Sequence, residues 1–586
     1  MNCDEIIKSN DTYDIIIVTE ALERIIEVEP DCIQKINDSY AFYYYNRTRV
    51  PPLSIETYTY SAIPKCLGLL DTTALEESGI IQVQNQSALS LRGQGVLVGF
   101  IDTGIAYENN CFRNPDGSTR IRAIWDQTGK PVENAESVNV VDVPPEGFVY
   151  GVEYTKERIN QALQSENPME LVPQRDENGH GTMLASIACG SEDVNANFIG
   201  AAPLADIVCV KLKPAKQYLR DFYYIPDGIA VYQENDVMAG IAYLESMARK
   251  LQQPLVICLG VGTNNGGHSG ESPLCEYMND IGALWRRCIV VASGNEANAR
   301  HHFWGTNNEP QIGQNSGSSN ENATAVEVDV EENMPGFYLE LWASAPELFS
   351  ISIRSPSGNI FLQSTTRIEG HQEYYFVLEN TKVEIDYRTV GHTRGDQLIF
   401  VRFDRAARGI WTIYVYPDTT ITGNFHVWLL QTFQGGLPMT GMLPSDVIFL
   451  RPNPDITLTV PSAAEIPVTV GGYQTADGSL YVNSGRGYST NDIVKPDFVA
   501  PAVGIPAVGT RGNYVTMTGT SAAAAIAAGA CAQMMEWGEV RNNYSLNSVE
   551  IGNLLIRGCK RSDDRTYPNT SWGYGKMNIY QSFVLF

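Results

Sequence analysis

Val96-Leu97-Val98-Gly99-Phe100-Ile101 is an unbroken apolar run that stops on Asp102-Thr103-Gly104. Such a run, ended by a carboxylate and a turn, suits a strand buried on both faces of a helix-covered parallel sheet. The carboxyl ends of such strands open into the crevice where α/β sheets bind their ligands. Outward from this stretch the same texture recurs. Asp206 to Leu212, Leu255 to Leu259 and Cys288 to Ala292 are further buried strand candidates. Between them, Val237 to Met247 has helical periodicity with Asn235 as its candidate N-cap, and Ile281 to Leu284 lies on a helix. Strand–helix alternation predicts right-handed crossovers and an α/β fold class with a parallel sheet flanked by helices.

Two other textures flank this one. Residues 1–60 predict a small α+β unit, with strands at Tyr13–Val18 and Ala41–Tyr45 and helical spacing from Leu22 to Val28. Residues 310–455 open on a Ser/Asn/Gly linker, Asn315–Asn320, and continue as short alternating strands. These are Ala325–Val330, Phe337–Trp342, Phe349–Ile353, Tyr374–Leu378, Leu398–Phe403, Trp411–Val415 and Asn424–Leu430. Short strands with frequent turns predict an all-β sandwich or jelly roll. The α/β texture resumes at 456–586. The β-domain therefore reads as an insertion that splits an α/β domain into 61–309 and 456–586.

Composition narrows the function. The chain has 586 residues, 43% of them hydrophobic, which is enough for several cores. A formal net charge of −26 repels phosphate backbones and anionic bilayers, so neither nucleic acid nor membrane is an expected partner. The start MNCDEIIKSN has no basic–apolar pattern, so no signal peptide is expected. No run is apolar for long enough to cross a bilayer. A cytoplasmic compartment is the expectation from these features alone. Eleven cysteines without C-x-x-C spacing predict free thiols rather than a disulfide framework or zinc site. No metal or cofactor is expected.

The chemistry-bearing residues are few. A carboxylate ending a buried strand, as Asp102 does, can orient a histidine. Asp-Thr-Gly also occurs in aspartic proteases, but those need two facing copies and this chain has one. His180 lies in Asn178-Gly179-His180-Gly181-Thr182, between small residues that leave an imidazole accessible at a helix start expected from Thr182. Ser521 lies in Thr518-Gly519-Thr520-Ser521-Ala522, a turn entering a small-residue helix whose N-terminus favours developing negative charge. Asn295, after Val290-Val291-Ala292-Ser293-Gly294, is an amide donor behind a buried strand. Each has a plainer reading: a loop-capping carboxylate, a helix-capping histidine, a serine N-cap, a turn. His301-His302 lacks a third ligand and reads as loop. Aromatics of the β region, such as Trp342, Tyr374 and Trp411, are core or a carbohydrate platform, with core the commoner role.

In the order Asp…His…Asn…Ser these motifs resemble the subtilisin-like serine proteases. Gly200-Ala201-Ala202-Pro203 and Lys495-Pro496-Asp497-Phe498-Val499-Ala500-Pro501 add to the resemblance, which covers most of 80–305 and 455–586. It implies a triad of Asp102, His180 and Ser521, an oxyanion hole at Asn295, and a substrate pocket lined by Leu259, Gly260, Ala292, Ser293 and Gly294. Two departures stand out. Ala522-Ala523-Ala524-Ala525-Ile526 replaces the usual Met-Ala-Thr-Pro-His, and the loop that binds calcium in many subtilisins is short at Val194–Asn197. A short N-terminal prodomain and a jelly-roll-like insert between Asn and Ser resemble the Csp-type spore-germination proteases of clostridia. That branch implies a chaperone-like prodomain cleaved autocatalytically, limited proteolysis of a protein substrate, a cortex-lytic zymogen, and a spore compartment. Retention of the prodomain after the cut is expected because its strands would lose their partner on release. Autocleavage is expected near the Tyr60–Ser61 bond, within five residues either way, because Glu56–Ala62 reads as extended. The alternative is a degenerate protease-fold scaffold that binds a partner without cutting.

Overall fold

The computed structural model describes residues 3–18, 28–37, 39–55, 57–69, 75, 77–131, 142–306, 323–361, 369–390, 395–430 and 447–585. The predicted helix within 22–28 and the linker 315–320 lie outside them, save Val28.

The opening apolar run forms the strand Leu97–Asp102, every residue of it buried. It lies inside an eight-stranded sheet between Leu255–Leu259 and Asp206–Lys211, parallel to both. Arg287–Ala292, Val468–Tyr473 and Phe498–Pro501 extend the sheet on one side, again in parallel. Ile121–Asp126 extends it on the other, and Val152–Thr155 closes that edge antiparallel, so the sheet is mixed. Helix Glu234–Leu251 starts earlier than its periodicity suggests, with Gln233 at the N-cap. Asn235 is buried in the first turn and bonds Gln233, so it is not the cap. Helix Thr520–Met535 is buried along all sixteen residues. Its alanines and glycine allow that approach: a Cβ on Gly529 would lie 2.2 Å from Ala201 Cβ.

The β region builds two antiparallel sheets. One contains His302–Thr306, Met334–Ala343, Gly370–Phe376, Thr381–Val390, Asp396–Ala406 and Asn424–Leu429. The other contains Thr324–Val330, Leu348–Arg354, Ile360–Phe361, Gly409–Thr419 and Val447–Phe449. Both contribute to one core that includes Val328, Leu339, Ile351, Val401, Trp411 and Phe425. Trp342 and Trp411 are buried, which leaves neither as an open platform.

The N-terminal residues form a helix, Cys3–Lys8, and a sheet in the order Thr12–Val18, Tyr40–Asn46, Cys32–Lys35. Cys3 and Cys32 are joined in a disulfide, which corrects the expectation of free thiols throughout. Cys111, Cys189, Cys209, Cys258, Cys275, Cys288, Cys531 and Cys559 are free. A single apolar cluster joins Tyr13, Tyr58 and Tyr60 to Tyr218 and Phe222 of the body and to Trp342 and Trp428 of the insert. No described helix is long and apolar enough to cross a membrane.

Candidate active site

Asp102 ends its strand with its carboxylate buried, accepting the Thr103 backbone N–H at 2.8 Å. Both carboxylate oxygens lie 2.9 Å from Nδ1 of His180. The imidazole begins helix His180–Cys189, two residues earlier than expected. Three features hold it there. Gly179 takes φ +94°, a conformation that favours glycine. Gly181 sits so close to the strand end that a Cβ would fall 2.3 Å from the Gly104 carbonyl oxygen. Asp176 caps the helix, accepting from Gly179 N–H at 2.7 Å, Thr182 N–H at 2.9 Å and Thr182 Oγ1 at 2.6 Å.

Ser521 is the second residue of its helix, entered through Gly519 at φ +150°. Its Oγ donates to the Gly260 carbonyl at 3.2 Å. Gly260 lies between these two side chains. A Cβ there would meet His180 Cε1 at 3.1 Å and Ser521 Cβ at 3.2 Å. Only glycine leaves room for both rows to close on one point. In the first turn of a helix, backbone N–H groups lack intrahelical acceptors and can face a developing oxyanion.

Asn295 is half-buried beside this point. Its Oδ1 accepts from Thr520 N–H at 3.1 Å, which leaves the amide nitrogen as a donor. Thr520 Oγ1 also accepts from Gly294 N–H at 3.1 Å. Ser293 is tied down through its backbone, donating to Val470 O and accepting from Thr459 N–H. Ala292 is core. The Leu259 side chain is fully buried in the core beside helix Glu234–Leu251. Past Gly260 the chain continues as Val261–Gly262. Thr459 packs against both walls of this region, since Cβ atoms on Gly262 and Gly294 would meet its Oγ1 at 2.4 and 2.6 Å.

Tyr60 and Ser61 are not in the extended conformation expected of them. They form a 3-10 turn, Tyr60–Ala62, in which the buried Tyr60 hydroxyl donates to Glu340 of the insert at 2.6 Å. The segment beside the site is Cys66–Leu69. It lies between Val261–Gly262 and Tyr232–Gln233 and is antiparallel to both. The pairing advances from Gly68 opposite Gly262 to Leu69 opposite Val261, one residue short of Gly260.

Sequence reading missed Asp176, Thr520 and Thr459. Asp176 had a signal, a carboxylate a few residues ahead of a glycine-flanked helix start. Thr520 was readable only as part of a turn. Thr459 reaches the site from the far side of the insert, and nothing local marks it. Of His301-His302, the second opens strand His302–Thr306, and both are buried, His301 on Glu296 at 2.7 Å and His302 on His426 at 3.1 Å.

Comparison with known proteins gives the same outline. A family model described as the subtilase family matches residues 93–373 and 442–575. The structure is similar to that of the Clostridium perfringens CspB protease, with a TM-score of 0.72 and 28% identity over 87% of this chain and 98% of that one. Among curated proteins, subtilisin-like protease SBT3.6 of Arabidopsis thaliana is 28% identical over 188 residues. That match spans 32% of this chain and 20% of the plant protein.

Proposed function

The chain belongs to the subtilase family of serine proteases, and from that premise we propose that it is a serine endopeptidase whose triad is Asp102, His180 and Ser521. Ser521 Oγ attacks the peptide carbonyl while its proton passes to His180 Nε2. Asp102 holds the imidazole through Nδ1 and stabilises its charged form. The Asn295 amide and the Ser521 N–H receive the oxyanion. His180 then gives its proton to the leaving amine, and water releases the acyl group by the reverse route. The observation that carries the reading is the convergence on Gly260 of a carboxylate-bound imidazole and a helix-start hydroxyl.

The same reading extends to self-processing. An extended segment that pairs with the strand beside the nucleophile is held as a peptide substrate would be. The scissile bond is therefore proposed C-terminal to Leu69, not at Tyr60–Ser61. The N-terminal residues then serve as a prodomain, and their buried contacts with the body support its retention after the cut. The likeness to the C. perfringens protease and the Csp-type resemblance make a protein zymogen the proposed downstream substrate, a spore-cortex lytic enzyme in that branch. The test is mass spectrometry with fluorophosphonate labelling of wild type beside Ser521→Ala. The wild type is expected cleaved after Leu69 and labelled, the variant intact and unlabelled. Equal labelling of a folded Ser521→Ala protein refutes the nucleophile; full-length, labelled wild type refutes self-processing.

A further inference from the structure

Glu296 follows Asn295 directly and is only 6% exposed. A carboxylate so placed is costly unless charge-assisted hydrogen bonds satisfy it. Its Oε2 accepts from His301 Nδ1 at 2.7 Å and from Asn264 Nδ2 at 2.9 Å. The two donors belong to different parts of the molecule. Asn264 lies two residues beyond the cleft strand Val261–Gly262, and His301 leads into the insert strand His302–Thr306. Both close on one residue of the insert. Leu429 donates its N–H to His301 O at 2.9 Å and accepts from Asn264 Nδ2 at 3.3 Å. The ring Glu296–His301–Leu429–Asn264 thus links the loop of Asn295, the cleft strand and the β insert.

From this ring we infer that Glu296 is a positioning residue for Asn295, and that the insert acts on catalysis through it. The inference rests on the oxyanion role proposed for Asn295. A preorganised donor is effective because it costs no reorganisation when charge develops, and misplacement by about 1 Å costs on the order of 100-fold. Thr520 fixes the amide oxygen of Asn295. Glu296 fixes the backbone that carries the amide, against the cleft strand on one side and the insert on the other. The insert thereby becomes part of the catalytic geometry. A merely structural carboxylate would stabilise the junction and leave turnover alone, so the two roles separate experimentally.

The experiment is a double-mutant cycle in the full-length protein: wild type, Asn295→Ala, Glu296→Gln and the double variant. Turnover is read on a fluorogenic peptide carrying residues Pro64–Leu75 of this chain, per fluorophosphonate-titrated site, with the rate of fluorophosphonate labelling as a second readout. Asn295→Ala is expected to lower kcat by roughly 10²–10³-fold, the loss seen when a subtilisin loses its oxyanion amide. Glu296→Gln is expected to lower kcat by about tenfold with KM within about twofold. In the Asn295→Ala background it should lower kcat no further, because nothing is left to position. An unchanged kcat in Glu296→Gln, or an equal loss in both backgrounds, overturns the inference. An unchanged kcat in Asn295→Ala overturns the oxyanion reading and the brace with it, as does wild type inert in both readouts. Should Glu296→Gln fail to fold, His301→Gln takes its place in the same cycle with the same expectations.

Discussion

The N-terminal sheet and the β insert are fastened to one α/β body by opposite chemistry. The N-terminal sheet docks through charge. Asp14, wholly buried on strand Thr12–Val18, receives Lys216, and Gln233 Nε2 at 3.0 Å, with Lys213 at 4.0 Å. Lys213 also reaches buried Asp236 at 2.7 Å, and Lys216 Nζ donates to Thr12 Oγ1 at 2.7 Å. Beside the Glu340 and Glu296–His301 bonds, the insert docks through neutral rings. Body residue His268 stacks on the insert's Trp428 at 4.0 Å, and within the insert His302 stacks on the same ring at 4.9 Å. His302 Nε2 meets His426 Nδ1 at 3.1 Å, a contact that needs one ring to donate and the other to accept. Burial enforces neutrality, pushing His426 down to about 3. Burial also lowers Lys216, to about 8, against the opposing pull of Asp14. Desolvation of buried ions cancels much of their attraction, so the charged joint contributes specificity more than net stability. The ring stack has no comparable cost. The first joint suits a part that is matched to its seat and can be exchanged; the second suits a permanent one.

The largest break in this comparison is expected from Asp14→Ala. It strands Lys216 in a buried site, while Lys213 keeps Asp236, and should destabilise by about 3–5 kcal/mol. Asp14→Leu combined with Lys216→Met, which removes both charges, should recover most of that loss. Urea denaturation of the three proteins measures it, and a change below about 1 kcal/mol for Asp14→Ala would remove the charged joint from the account.

The next largest effect is acid sensitivity at the insert. An unfolded histidine binds its proton near 6.5, while buried His426 binds one only near 3. Between those values the unfolded state holds more protons. Stability is therefore fully present above pH 6.5 and falls as pH drops, by roughly 3 kcal/mol at pH 4.5. His426→Phe should flatten the slope, and the difference between the two proteins' melting temperatures across pH 6.5 to 4.5 isolates it from carboxylate titration. Parallel slopes would show that His426 does not titrate on unfolding.

The smallest effect sharpens the point where all three regions meet. Tyr60→Phe removes one of four donors to the buried Glu340 carboxylate, leaving Trp342 Nε1, Asn265 Nδ2 and Gly266 N–H. A loss of about 1–2 kcal/mol is expected by thermal melting, with the proposed self-processing after Leu69 unchanged. Altered processing would mean that this turn, and not the paired segment, sets the cleavage register.

Much of the architecture was legible because burial on both faces leaves a plain mark. Leu255–Leu259 has the boundaries its apolar run announced, and the insert strands fall where residues alternate. Thr381–Val390 escaped notice, although Val383, Ile385 and Tyr387 alternate with Lys382, Glu384 and Asp386, because the charges obscured the inward face. Long-range contact was not legible. The Tyr60 turn follows its bond to Glu340, which overrides the extended preference of Thr and Tyr. Asn235 looked like a cap and instead faces Gln233 in the seat of Asp14. The Cys3–Cys32 pairing has no signature in spacing. At the site, the motif residues were readable one by one, while Asp176, Thr520 and Thr459, which hold or crowd them, depend on where distant segments land.

The way the insert returns to the body bears on the order of assembly. Val290 must pair with Val468 to extend the central sheet, although the whole insert lies between them in sequence. The insert brings its own ends together: Phe449 N–H donates to Arg300 O at 3.0 Å and Asn453 N–H to His302 O at 2.8 Å. Loop-closure entropy rises slowly with length, about 0.6 kcal/mol per doubling, but non-local pairings still fold late. An insert that folds first converts a long closure into a short one. A chain assembling in that sequence completes its insert before Ser521 can meet His180, so topology itself acts as a timer on the completion of the proposed active site.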